Sequence, residues 1–147
     1  SLVQTYLETA GCEVQLLQSD NLAGETPDMP CVVDTANAWP DDVFVSLHCN
    51  ADSGCARGTE VLIYANDSGS SPQFAACIQS QIVQSLGTVD RGLKERPNLI
   101  VLKDTTMPAV LVETAFIDND NDAALLTNNA DDFARAIARG ITDFEGR

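Results

Sequence analysis

Apolar residues recur along the chain at two spacings, which predict helices alternating with strands. Helical spacing predicts helices over residues 1–10, 32–39, 73–86 and 131–144, and a short helical turn over residues 123–126. Short apolar runs predict strands at residues 13–17, 43–47, 59–64, 99–102 and 109–112. This alternation predicts a single α/β domain whose central sheet is mostly parallel, has about five to six strands and is flanked by helices on both faces.

Length and charge narrow the classes of function. The chain has 147 residues, of which 44% are apolar, enough to bury one sizeable core. Its formal net charge of −14 repels nucleic acids and anionic membrane surfaces. No run reaches the roughly 18 apolar residues of a membrane-spanning helix. We therefore expect no nucleic-acid partner and no membrane partner.

Five cysteines are present, and none forms a CxxC pair, which argues against a zinc ribbon or a thioredoxin-like site. In an oxidising compartment two bridges are conceivable, Cys49 with Cys55 and Cys12 with Cys31. The sequence leaves the connectivity open. Cys77 lies on an apolar helical pattern, which favours a buried structural thiol.

Two ionisable residues follow apolar strands directly. His48 comes after the run 43–47, and Glu113 comes after the run 109–112. Open α/β sheets bind ligands outside the carboxyl ends of their strands. An imidazole that holds a metal and a carboxylate that moves a proton would suit a metal-dependent hydrolase there. On spacing alone, a structural histidine and a solvated helix-capping glutamate remain the commoner alternatives.

Two longer motifs carry a family resemblance. The segment VFVSLHCNA, residues 43–51, resembles the FVSIHxNA motif of the zinc-dependent N-acetylmuramoyl-L-alanine amidases of bacterial cell walls, the amidase 3 family. The segments RGLK (91–94), LIVL (99–102) and MPAVLVETAFI (107–117) resemble a second block of that family in the same order. The resemblance extends from about residue 1 to residue 144.

The resemblance implies that residues 1–147 form a catalytic domain. Its reaction would hydrolyse the amide bond between N-acetylmuramic acid and the L-alanine of the peptidoglycan stem peptide. His48 would be a ligand of a zinc cofactor, and Glu113 would be the catalytic carboxylate that takes a proton from the attacking water. Asn50 would either orient substrate or cap its loop. Peptidoglycan as the partner implies a secreted protein of the cell wall or periplasm.

One departure from the family concerns the metal. Its members carry two further zinc ligands, a histidine in an early DPGHGG motif and a glutamate soon after it. This sequence has neither, and His48 is its single histidine. We therefore expect either an amidase domain that is incomplete at its N-terminus or a scaffold that has lost its metal. The second alternative would be a non-catalytic peptidoglycan-binding or regulatory domain.

Two other patterns carry weaker signals. The segment DNDND, residues 118–122, resembles the start of a calcium loop, but Ala123 and Asn129 stand where that loop needs Gly and Glu. An acidic cap for the following helix is favoured. Cys49 adjoins His48, but neighbouring strand residues point to opposite faces, which disfavours a Cys–His nucleophile pair. Chance similarity in a cytoplasmic hydrolase is a third alternative.

Overall fold

Four strands form one sheet in a computed structural model that describes residues 1–17, 32–67 and 69–146. Their order across the sheet is β1-β4-β2-β3. The bounds are β1 Phe44–Asn50, β2 Thr59–Ile63, β3 Asp90–Glu95 and β4 Ala109–Phe116. The single α/β domain is confirmed, with four strands in the described ranges where about five to six were predicted.

The sheet is mixed, whereas a mostly parallel sheet was predicted. β1 pairs with β4 and β2 pairs with β3 in parallel, but β2 and β4 are antiparallel. The connection 51–58 contains no helix, so the chain leaves β1 and re-enters the sheet from the same end. A connection without a crossover returns a strand in the opposite direction, which explains the antiparallel pair.

Six helices lie in the described ranges, and the predicted helices are confirmed. Their bounds are α1 Leu2–Thr9, α2 Val32–Ala38, α3 Ser70–Leu86, α4 Ile100–Lys103, α5 Asp120–Asn128 and α6 Ala130–Glu145. Ser1 caps α1 through its side chain, which accepts a hydrogen bond from the backbone N–H of Gln4. α3 ends at Gly87, whose φ of 67° is the left-handed conformation that favours glycine. None of these helices is long and apolar enough to cross a membrane.

Two apolar clusters cover the two faces of the sheet. On one face α1, α3 and α6 pack against alternate residues of the central strands, including Val61 and Val112, both fully buried. On the other face α2 and α4 pack against the intervening residues, including Leu62 and Leu111. Alternation along a strand sends neighbouring side chains to opposite faces, so both faces of β2 and β4 are apolar.

Three predicted or missed strands show where local pattern falls short. The predicted strand 99–102 is wrong: these residues enter α4, whose Leu102 packs beneath α2. A short apolar run fits either a strand or a buried helical turn. Residues 13–17 were predicted as a strand but pair with no described strand, and a groove of about 660 Å³ lies between them and β1. β3 was not predicted because its sequence, DRGLKE, lacks an apolar alternation.

α3 and α6 approach each other closely at Gly140. A Cβ atom built on Gly140 would lie 2.6 Å from the Cα of Ile78 and 3.0 Å from the carbonyl oxygen of Cys77. Both are backbone atoms of α3, so no side chain can move aside. The absence of a side chain at this position therefore sets the distance between the two helices.

We predict that Gly140→Ala destabilises the protein, although alanine is the better helix former. The added methyl group must push α6 away from α3, and overpacking of this kind costs about 1–3 kcal/mol. Chemical denaturation measures the change in the free energy of unfolding. Arg139→Ala, at an exposed neighbouring position of α6, is the control and should change it little. A Gly140→Ala protein as stable as the wild type would contradict the close approach.

Candidate active site

Strand pairing brings three ionisable side chains into one row. In the register of the sheet, His48 of β1 is the partner of Glu113 of β4, and Glu113 is also the partner of Glu60 of β2. Paired residues project from the same face, so the three side chains are neighbours across three strands. His48 is exposed, Glu113 is half-buried and Glu60 is buried, so the row runs from solvent into the sheet.

The carboxylate of Glu113 is only partly satisfied. Its Oε2 atom is buried and has no hydrogen-bond partner among the described residues. Burial raises the pKa of Glu113 above 4.5, and the negative charge of Glu60 raises it further. A carboxylate with a raised pKa accepts a proton more readily than an ordinary one, as a general base must.

His48 lies on the same face of β1 as Ser46. The His48 Nε2 and Ser46 Oγ atoms are 2.8 Å apart, and which of them donates depends on the ring tautomer. The backbone carbonyl of His48 accepts a hydrogen bond of 3.0 Å from the Thr114 hydroxyl. The backbone of the histidine is thus anchored to β4 while its ring reaches the surface.

Asn50 is held by two hydrogen bonds. Its side-chain Nδ2 donates to Glu60 Oε1 at 2.9 Å, and its Oδ1 accepts from the backbone N–H of Ala51 at 3.0 Å. The structure thus connects Asn50 both to its own loop and to the polar row. A role of Asn50 in binding substrate stays a prediction.

Sequence reasoning missed Glu60. Its Oε2 atom accepts a hydrogen bond of 3.2 Å from Nε of Arg91 on β3 and forms an ion pair with it. The guanidinium of Arg91 also lies over the ring of Phe116, 4.9 Å from its centre. One sequence signal could have indicated it: Glu60 directly precedes the apolar stretch VLI. A carboxylate buried in such a strand needs a partner, so its presence suggests a specific role.

Residues 118–122 cap the following helix as predicted, but the capping side chain is the amide of Asn119, and the acidic residues Asp120 and Asp122 lie in the first turn. The Asn119 side chain accepts hydrogen bonds from the backbone N–H groups of Asn121 and Asp122 and so caps α5. The buried carboxylate of Asp122 accepts from the N–H of Gly58 at 2.7 Å and of Phe116 at 3.0 Å. These acidic and amide groups therefore fasten the loop before β2 to the end of β4.

The cysteine pairing considered between Cys49 and Cys55 is not formed. Both thiols are free, and the Cys49 Sγ atom lies 3.6 Å from the Thr114 hydroxyl oxygen. Cys12 is also free, and Cys31, its conceivable partner, lies outside the described residues. Cys77 is half-buried, and burial raises the pKa of its thiol.

The described residues do not form a complete zinc site by themselves. In residues 1–17, 32–67 and 69–146 no group of three or more His, Cys, Asp or Glu side chains could hold a metal ion. A catalytic zinc takes three protein ligands and an open position. His48 is one imidazole, and the sequence contains no second one.

The fold and this row of side chains define an α/β domain with a site of one imidazole and two carboxylates across β1, β4 and β2. A family model described as N-acetylmuramoyl-L-alanine amidase matches residues 1–143. The chain belongs to this family.

Individual relatives agree with this assignment. The amidase CwlM of Bacillus licheniformis is 39% identical over 105 residues, which cover 71% of this chain and 40% of that protein. The sporulation-specific amidase of Bacillus subtilis is 37% identical over 105 residues, covering 71% of this chain and 39% of that protein. The chain therefore spans about 40% of the length of these curated relatives.

Solved structures share the fold. The catalytic domain of the amidase CwlV from Bacillus (Paenibacillus) polymyxa var. colistinus has a TM-score of 0.81 and 30% identity, covering 99% of this chain and 79% of that one. The amidase AmiC2 of Nostoc punctiforme has a TM-score of 0.84 and 27% identity, with the same coverage of 99% and 79%. The fold is thus that of amidase catalytic domains.

We predict that Glu113→Gln makes the metal-free protein more stable at neutral pH. A raised pKa means that folding favours protonated Glu113, so the stability it contributes is present below about pH 4.5 and is lost as pH rises through the raised pKa. The neutral glutamine avoids this loss. The gain in unfolding free energy should be present at pH 7 and vanish below pH 4.5.

Urea denaturation with EDTA at several pH values measures this difference. Glu8→Gln removes an exposed carboxylate from α1, on the opposite face of the sheet, and controls for the change in net charge. A Glu113→Gln protein that is less stable than the wild type at pH 7 would contradict the raised pKa.

Proposed function

We propose that this chain is the catalytic domain of a peptidoglycan hydrolase, an N-acetylmuramoyl-L-alanine amidase. The bond cut would be the amide between the lactyl group of N-acetylmuramic acid and the L-alanine of the stem peptide. Membership of the family and the activity named for its relatives support this substrate. The observation that carries the proposal is the buried Oε2 atom of Glu113 beside His48, which has no hydrogen-bond partner among the residues that the structure describes.

Glu113 is proposed as the residue that moves the proton. Water attacks the carbonyl carbon of the amide, and Glu113 takes the proton that the water loses. As the carbon–nitrogen bond breaks, Glu113 returns this proton to the leaving nitrogen, which becomes the free amine of L-alanine. The raised pKa of Glu113 supports this role, because the carboxylate of a weaker acid takes up a proton more readily.

His48 and Asn50 would act on either side of this carboxylate. We propose His48 as one ligand of zinc, the metal that the family resemblance implies, with the other ligands lying outside the described residues. Asn50 is proposed to orient the substrate from the end of β1. Its two internal hydrogen bonds support this role, because a fixed amide group orients a substrate better than a mobile one.

The site of action would be outside the cytoplasm, in the cell wall or periplasm. Peptidoglycan is located there, and one relative, from Bacillus anthracis, is described as a cell wall amidase.

Hydrolysis of purified cell-wall sacculi tests the proposed reaction. The protein, made as its gene encodes it and supplied with zinc, should release new amino-terminal alanine and no new reducing sugar ends. Glu113→Gln should lower the rate by about a hundredfold or more, because it cannot take up the proton. Glu8→Gln should leave the rate unchanged. Sacculi that are bound without any new alanine termini would indicate a non-catalytic binding domain instead.

Elemental analysis tests the proposed ligand independently of activity. We expect about one zinc per protein molecule, as in a catalytic site with three protein ligands. His48→Ala should lose most of this zinc, because it removes one of the three protein ligands that a catalytic zinc site needs. Equal zinc content in the wild type and the variant would exclude His48 as a ligand.

A further inference from the structure

Glu60 is a buried charge whose place in the sheet needs an explanation. The residue is 6% exposed and precedes Val61 and Ile63, which are completely buried. Removing a carboxylate from water is strongly unfavourable unless partners compensate the charge. An apolar residue at this position would avoid that cost, so the charge itself is a candidate for a role.

The two oxygens of Glu60 bind two different strands. Oε2 accepts from Arg91 of β3, and Oε1 accepts from the side chain of Asn50 at the end of β1. β1 and β3 are the two outermost strands of the four, and Glu60 lies on β2 between them. The Glu60 carboxylate therefore connects the side chains of β1 and β3, the two outer strands, on the face of the sheet that carries Glu113.

Regular pairing does not fix the end of β1. The register of β1 against β4 shifts between His48 and Asn50, so that Asn50 is the partner of Phe116. The carbonyl of Asn50 accepts from the N–H of Ile117 at 2.9 Å, which holds the backbone. The Asn50 side chain is held instead by Ala51 and Glu60.

Arg91 completes the arrangement. Its guanidinium stacks on Phe116, the residue opposite Asn50, while its Nε binds Glu60. The ring of Phe116 thus holds the Arg91 guanidinium close to the end of β1. Arg91 thus compensates the charge of Glu60 and fixes the orientation of its carboxylate.

We propose that Glu60, held by Arg91, is a positioning residue that fixes Asn50 and the irregular end of β1 next to His48. A role of Glu60 in catalysis rests on the proposed amidase function. The effect of Glu60 on the geometry of the site is independent of that function.

Two variants separate the functions of the carboxylate. Glu60→Gln keeps an oxygen that can accept from Asn50 but loses the ion pair with Arg91. Glu60→Leu loses both. We expect Glu60→Leu to lower kcat by roughly tenfold to a hundredfold through misplacement of Asn50, and Glu60→Gln to retain most of the activity.

A double-mutant cycle tests whether the effect passes through Asn50. If it does, adding Asn50→Ala to Glu60→Leu should cause no further loss beyond that of either single variant. Multiplicative losses would show that Glu60 acts independently of Asn50 and would overturn the proposal.

NMR gives a measurement that needs no activity. The Cε1–H signal of His48 is identified as the one that His48→Ala removes. In metal-free protein at fixed pH, Glu60→Leu should shift this signal, whereas Arg139→Ala, which breaks an exposed ion pair on α6, should not.

The combined results distinguish two failures. A shifted His48 signal in a protein that hydrolyses nothing would support the positioning role and contradict the amidase function. An unchanged signal in Glu60→Leu and in the milder Glu60→Gln, with only a lower melting temperature, would make Glu60 purely structural and overturn the proposal.

Discussion

The double pairing of β4 is the constraint on which the site depends. β4 binds β1 on one side in parallel and β2 on the other side in antiparallel orientation. Every residue of the strand is buried except Glu113, which is half-buried. The same backbone hydrogen bonds that hold the sheet together therefore place one carboxylate between His48 and Glu60.

This placement is unfavourable for Glu113 as a charged group, and the surroundings leave that cost uncompensated. Arg91 and Asn50 are both directed to Glu60 rather than to Glu113. Glu60 thus has its own hydrogen-bond partners, whereas the Oε2 atom of Glu113 has none in the described part of the chain and lies beside the negative charge of Glu60. A buried carboxylate without a partner lowers the stability of the fold but readily takes up a proton, as general acid–base residues commonly do.

Sequence alone predicted much of the fold and two members of the row. Helices were evident from the spacing of apolar residues, and His48 and Glu113 were evident because each follows an apolar strand. Glu60 was not, since its importance arises from pairing between β2 and β4, which are not consecutive along the chain. Residues 99–102 and β3 were misjudged for a related reason: short or polar segments take the structure that their neighbours in space permit.

The pKa of the Glu113 side chain is the most direct test of these relationships. Carboxyl ¹³C NMR of the metal-free protein, with Glu113→Gln used to identify the signal, would measure it without any assay of activity. A buried carboxylate beside Glu60 should titrate above 4.5 and fall back towards that value in Glu60→Gln. A Glu113 that titrates at or below 4.5 in the wild type would show that the row does not form as described.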